Sequence, residues 1–199
     1  MTEKIIHKIC KLCNIKDYTI NNDKSIDVDN DVILHAMNLD IIPLNFNKVN
    51  GIFDCSLNNL KSLKGAPNQA NGDFYCANNN LESLKYAPEH ISGTFHCNDN
   101  GLTSLKYSPK IIEGNFYFIN NEIATFEYFP KVKKNIITLN NPIELLWELF
   151  KDKNYIEYFN ELDIIQENGT AVILDRLNYF LIDIGKKEVN TKIFYYKII

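Results

Sequence analysis

Residues 51–134 read GIFDCSLNNLKSLKGAPNQAN, GDFYCANNNLESLKYAPEHIS, GTFHCNDNGLTSLKYSPKIIE and GNFYFINNEIATFEYFPKVKK, one 21-residue sentence written four times. The copies share the frame G-x-F-x-[CF]-x-x-N-x-[LI]-x-[ST]-[LF]-x-x-x-P. Self-similarity at a fixed short period is the signature of a solenoid, in which each copy forms one structural unit. Phe53, Cys55, Leu60 and Leu63 recur as Phe74, Cys76, Leu81 and Leu84, as Phe95, Cys97, Leu102 and Leu105, and as Phe116, Phe118, Ile123 and Phe126. The F-x-C pair has the period of two that sends alternate side chains to one face of a strand, so one short strand per copy is expected. Pro67, Pro88, Pro109 and Pro130 then turn the backbone away from continued helix. The return arm is therefore expected to be extended or to hold a single turn.

A lone copy cannot cover its apolar residues, whereas stacked copies bury each Phe, Cys and Leu on its counterpart. Full burial of a Leu or Phe contributes roughly 1.5–3 kcal/mol, which offsets ordering entropy only when neighbours supply the burial. Asn58, Asn79, Asn100 and Asn121 follow the strands, where the chain turns. An inward Asn there can satisfy backbone groups that lack strand partners, so this row reads as structural.

The frame resembles a short leucine-rich repeat of the bacterial type. With its F-x-C strand and G-A-P or Y-A-P arm, it is most similar to the leucine-rich repeat proteins encoded by tailed bacteriophages and some bacteria. The opening YTINNDKSIDVD resembles the start of the phage proteins as well. That resemblance implies an α+β repeat solenoid, curved, with a parallel β-sheet on its concave face that serves as a protein-binding surface. It implies neither catalysis nor a cofactor.

Outside the clear copies, Ile5, Ile6, Ile9, Leu12 and Cys13 make the stripe of an amphipathic helix over residues 3–14. Two runs of β-formers around Asn21-Asn22-Asp23-Lys24-Ser25 then read as a hairpin. Helix and hairpin, residues 1–29, are expected to cap the first end. Counting back one period from Gly51 gives a degenerate first copy at Asn30, with Val32 and Leu34 in the F-x-C slots, Leu39 and Ile42 in the Leu slots, and Met37 where Asn is expected. Asp27, Asp29 and Asp31 open a calcium-loop pattern, but Val32 stands where that loop needs Gly and Asn38 where it needs Glu, so they read as the wet side of a strand.

After the fourth copy, NIITLNN is expected to give a last strand with Ile137 and Leu139 inward, so the solenoid would span residues 30–141, about five repeats plus that strand. Asn141, Pro142 and Glu144 then read as N-cap, first helical residue and capping-box partner. Helical stripes follow at Leu145, Leu146, Leu149 and Phe150, at Ile156, Phe159, Leu162 and Ile165, and at Ile173, Leu177, Phe180, Leu181 and Ile184, with Gly169 and Gly185 as terminators. The β-forming tail TKIFYYKII reads as a strand or an extended arm. Residues 142–199 are expected to form a helical cap on the second end.

The net charge of -4 and pI near 5.6 argue against a polyanion partner such as nucleic acid. The start, MTEKIIHKICKLC, shows neither a signal peptide nor a membrane span, so a cytoplasmic setting is expected, with the virion as the other location for a phage protein. Five cysteines are an odd number, and three occupy a repeat slot that becomes Phe118, so they read as free packing residues. Cys10 and Cys13 form a C-x-x-C without a second pair, which also reads as packing. The four histidines are scattered and no catalytic fingerprint occurs, so neither enzyme activity nor a metal site is expected.

Between the inward positions runs a variable row: Ile33, Asp54, Tyr75, His96, Tyr117 and Thr138. It is flanked by Asp31, Ile52, Asp73, Thr94, Asn115 and Ile136 on one side, and by His35, Ser56, Ala77, Asn98, Ile119 and Asn140 on the other. These positions change between copies while the inward ones do not, so they are available for specificity. The residues expected to meet a partner protein are Asp54, Asp73, Tyr75, His96, Asn98 and Tyr117. The leading expectation is a non-enzymatic protein-binding module acting on a host or phage protein. The alternatives are an accessory virion component and a solenoid that delivers a small carboxyl-terminal effector domain.

Overall fold

Helix α1 (Glu3–Leu12) opens the chain, and the expected hairpin follows, β1 (Tyr18–Ile20) pairing antiparallel with β2 (Ile26–Val28). The buried side of α1 is rotated from the expected stripe. Ile6 and Cys10 are buried while Ile5 and Leu12 are exposed, and His7, next to Ile6 on the helix, forms a 2.6 Å hydrogen bond with the Tyr18 hydroxyl of β1.

From the hairpin the chain coils, each turn laying down two strands. They are β3 (Val32–Ile33) and β4 (Phe46–Val49), β5 (Phe53–Asp54) and β6 (Gln69–Ala70), β7 (Phe74–Tyr75) and β8 (His90–Ile91), β9 (Phe95–His96) and β10 (Ile111–Ile112), then β11 (Phe116–Tyr117) and β12 (Lys131–Val132). Strand β13 (Ile136–Ile137) starts one more. The computed structural model, which describes residues 1–190, 193 and 195–199, is thus a β-solenoid of about five turns. First strands pair in parallel as the sheet β3-β5-β7-β9-β11-β13, and second strands as β2-β4-β6-β8-β10-β12 with β1 on its edge. One strand per copy is therefore an undercount: the return arm carries the second. Its sequence cue is a single buried residue per turn, Ala70, Ile91, Ile112 or Val132, too brief for a period of two to register.

The core lies between the sheets. Phe53, Phe74, Phe95 and Phe116 are fully buried, with successive ring centroids 5.3, 5.8 and 5.5 Å apart. Cys55, Cys76 and Cys97 fill the next column, and each thiol donates to a carbonyl of the following turn, at 3.4, 3.4 and 3.6 Å. Burial pushes all three thiols up, so they are packing groups and poor nucleophiles. Successive turns approach closely enough to require the glycine column: a Cβ on Gly72 would lie 2.4 Å from the Gly51 carbonyl oxygen.

The Asn row is a ladder between turns. Asn79 Nδ2 is shared among the carbonyls of Cys55 on the preceding turn (3.0 Å) and of Cys76 and Ala77 on its own (3.2 Å each), while Oδ1 accepts the Leu60 N–H at 3.0 Å. Asn58, Asn100 and Asn121 repeat the pattern. Met37 stands where no earlier turn offers strand groups to satisfy.

Asn141 continues the ladder, donating to the Phe118 carbonyl at 2.7 Å and accepting from the Ile123 N–H at 3.1 Å. Two expectations are corrected by this rung. Its side chain does not cap the next helix; Glu144 still folds back, but onto the Asn140 N–H at 2.7 Å. The rung also sets the last register one residue early, so Phe116 pairs with Ile136 and Tyr117 with Ile137. Ile136 and Thr138 thus take the slots expected of Ile137 and Leu139, and Leu139 is 50% exposed.

Helices α2 (Glu144–Phe150), α3 (Ile156–Glu161) and α4 (Leu174–Asp183) match the three stripes. Ile165, however, leaves the second stripe for β14 (Ile165–Gln166), which joins β15 (Ala171–Val172) and β16 (Lys197–Ile198) in a small third sheet. Gly185 follows α4 at φ +74° as expected, but Gly169 lies between β14 and β15 at φ +93°. Of the tail, Lys197–Ile198 is strand, while Thr191, Lys192 and Phe194 lie outside the described residues. Phe126 of the fourth copy packs on Phe150 and Phe159 with centroids 5.4 and 5.2 Å away. Tyr196 donates to the Ala124 carbonyl at 2.7 Å. Among the described residues no helix is long and apolar enough to cross a membrane.

Candidate binding face

Alternation along the first strands sends every second residue away from the core. Register then makes neighbours of Ile33, Asp54, Tyr75, His96, Tyr117 and Ile137, one per strand across the β3–β13 sheet. Ile137 holds the place expected of Thr138. For the same reason the flanking rows end on Asn135 and Leu139 in place of Ile136 and Asn140. The missed cue is spacing: Asn121 to Asn141 is 20 residues where the other rungs are 21 apart.

Three rings stack down the middle of the row. The Tyr75 and His96 centroids are 4.7 Å apart at 26°, and those of His96 and Tyr117 are 4.1 Å apart at 7°. All three side chains are half-buried. Tyr75 donates its hydroxyl hydrogen to Asp73 Oδ2 at 2.8 Å, and Asp73 Oδ1 accepts the Thr94 N–H at 2.6 Å. Burial, then the bond to Asp73 and the negative charge of Asp73 and Asp54, push the Tyr75 phenol up to about 12. For His96 the forces compete. Burial between the rings holds the imidazole below its ordinary value, and the carboxylates of Asp73 and Asp54 pull the other way without overcoming it.

Asp54 accepts the Ser56 N–H at 2.8 Å and sits 3.2 Å from His35 Nδ1, a contact that sequence reasoning did not single out. Asn98 commits its Oδ1 to the Ile119 N–H at 2.9 Å. Of the six residues expected to meet a partner, Asp54, Tyr75, His96 and Tyr117 therefore share the central row. Asp73 and Asn98 lie on opposite flanks of it.

No family model, curated protein or solved structure matches this chain. The chemistry of the face stands on its geometry. Its three rows carry Asp31, Asp54 and Asp73 and no Lys or Arg. Among the described residues no group of three His, Cys, Asp or Glu side chains could hold a metal. The face offers flat aromatic surface, hydrogen-bond acceptors and negative charge.

Proposed function

We propose that this chain is a non-enzymatic protein-binding module of the leucine-rich repeat type, phage-encoded and acting in the host cytoplasm, that holds a partner protein on the outer face of the β3–β13 sheet. In this reading that face is the concave side of the solenoid. The hairpin with α1 and the carboxyl-terminal helices are its two caps. The observation that supports it is the Tyr75, His96 and Tyr117 stack, because half-exposed aromatic rings with polar edges are the side chains that dominate interface hot spots. Carboxylates with no Lys or Arg beside them on this face suit a partner segment that presents Lys or Arg, whose charge can rest on a ring and pair with Asp54 or Asp73.

The test is the double substitution Tyr75→Ala with Tyr117→Ala. Both rings are outside the core, so the variant should keep the far-UV circular dichroism of the parent. Capture of the partner from host lysate should fall roughly tenfold or more. Undiminished capture by the folded variant refutes the reading.

A further inference from the structure

Each turn bends a second time, after the segments LKG, LKY, LKY and FEY, and the bend residues are Gly65, Tyr86, Tyr107 and Tyr128. All four take left-handed backbone, with φ of +100°, +75°, +67° and +58°. Glycine enters that region freely and Asn at small cost, whereas a bulky aromatic residue there is an outlier. The other bend of the turn uses the cheaper solution in three copies, with Asn78, Asp99 and Asn120 at φ +53°, +52° and +52°, and gives the position to a bulky residue once, Leu57 at φ +55°. Nor do the tyrosines recover the strain by burial: they are 49%, 52% and 57% exposed. A costly backbone position is thus given to the same large ring three turns running, with half of that ring in solvent.

Lys64, Lys85 and Lys106 precede the first three bends. The Lys85 ammonium lies 5.2 Å from the centroid of Tyr86, and that of Lys106 lies 5.4 Å from Tyr107. Among the described residues none of these three lysines is in an ion pair. Hollows flank the row at both ends. One of about 310 Å³ is lined by Lys64, Gly65 and Tyr86 with Asp23 on its wall, and one of about 800 Å³, between Tyr128 and α3, is lined by Lys131 and Lys153 and also by Glu157 and Glu161, so the positive surface is the lysine row itself.

We propose that this lysine and tyrosine ridge is a second binding surface, which takes an acidic segment of a partner protein across successive turns. Carboxylates of the segment meet the ammonium groups, and its apolar side chains lie on the rings. Charge selects an acidic guest, and scale selects a peptide: the lysine column is three residues long and ends at Glu127, which leaves too little continuous positive surface for a phosphate backbone.

The test uses the full chain and a fluorescein-labelled peptide alternating Glu and Val, read by anisotropy at low salt, with labelled oligothymidylate as comparison. Saturable binding of the peptide is expected, weakened tenfold or more in Lys64→Glu/Lys85→Glu/Lys106→Glu. In Tyr86→Asn/Tyr107→Asn/Tyr128→Asn the same loss is expected with a melting temperature unchanged or raised, because Asn relieves the backbone. A lowered melting temperature in the Asn variant makes the rings structural and overturns the proposal. So does absence of peptide binding, tighter binding of oligothymidylate, or concentration-dependent self-association that the lysine substitutions abolish, which would assign the ridge to a second copy of this chain.

Discussion

Replacing Asn79 by Ala tests whether amides, more than strands, hold turn to turn, since most strands of the solenoid pair through only two residues. The loss can be worked from the bonds. Asn79 Oδ1 is the acceptor for the N–H of Leu60, which is fully buried, and removing it orphans that donor. The three carbonyls served by Nδ2 fare better, because each keeps another donor: Asn58 Nδ2 on Cys55 O at 3.0 Å, Asn100 Nδ2 on Cys76 O at 3.2 Å, and the Leu57 N–H on Ala77 O at 3.0 Å. One orphaned buried N–H costs about 1–3 kcal/mol, and the two Nδ2 hydrogens contribute about 0.5–1.5 kcal/mol each, so the expected loss is about 4 kcal/mol. A typical domain has about 5–15 kcal/mol in total. Urea unfolding followed by circular dichroism measures it, with the exposed neighbour Asn80→Ala as control, expected within about 0.5 kcal/mol of the parent. A loss below about 1 kcal/mol for Asn79→Ala would mean that water reaches the Leu60 N–H, and the ladder argument would be wrong.

Two further outcomes follow from the same packing. Iodoacetamide applied to the native protein should modify the half-buried Cys13 and leave Cys55, Cys76 and Cys97 unlabelled until denaturant is added; mass spectrometry showing native labelling of Cys76 would contradict a sealed column. His96 predicts a pH dependence with a definite sign. Its folded pKa lies below the ordinary value of 6.5, so as pH falls through that value the unfolded chain takes up a proton that the folded chain resists, and stability present above it is lost toward the depressed folded value. The melting temperature of the parent should therefore fall more steeply over that interval than that of His96→Gln, and equal slopes would refute the assignment.

A solenoid makes its own alignment visible, because a column that buries against itself must repeat its chemistry. That is why the Phe, Cys, Gly and Asn columns and the outward row could be read from one chain. What escaped was the second strand of each turn, too brief to register, and whatever broke the period. The shortened fourth copy ends on Lys133, Lys134 stands where a glycine opens each earlier copy, and the rung at Asn141 carries the true register. Phe118 and Phe126 stand where earlier copies carry Cys and Leu, and Phe129 where they carry Ala or Ser; this is where Phe126 stops meeting another turn and meets Phe150 and Phe159 instead. Ring stacking and the depressed imidazole of His96 depend on side-chain torsion and burial, which spacing does not encode. The Tyr86, Tyr107 and Tyr128 row was present in the letters from the start, yet its strain is a matter of φ. Repetition normally means burial in such a fold, and variation means exposure. A residue that repeats while strained and exposed, with no side-chain hydrogen bond among the described residues to the next turn of the kind Asn120 and Asn140 make, obeys neither rule, and that is the ground on which the ridge is proposed as a contact surface.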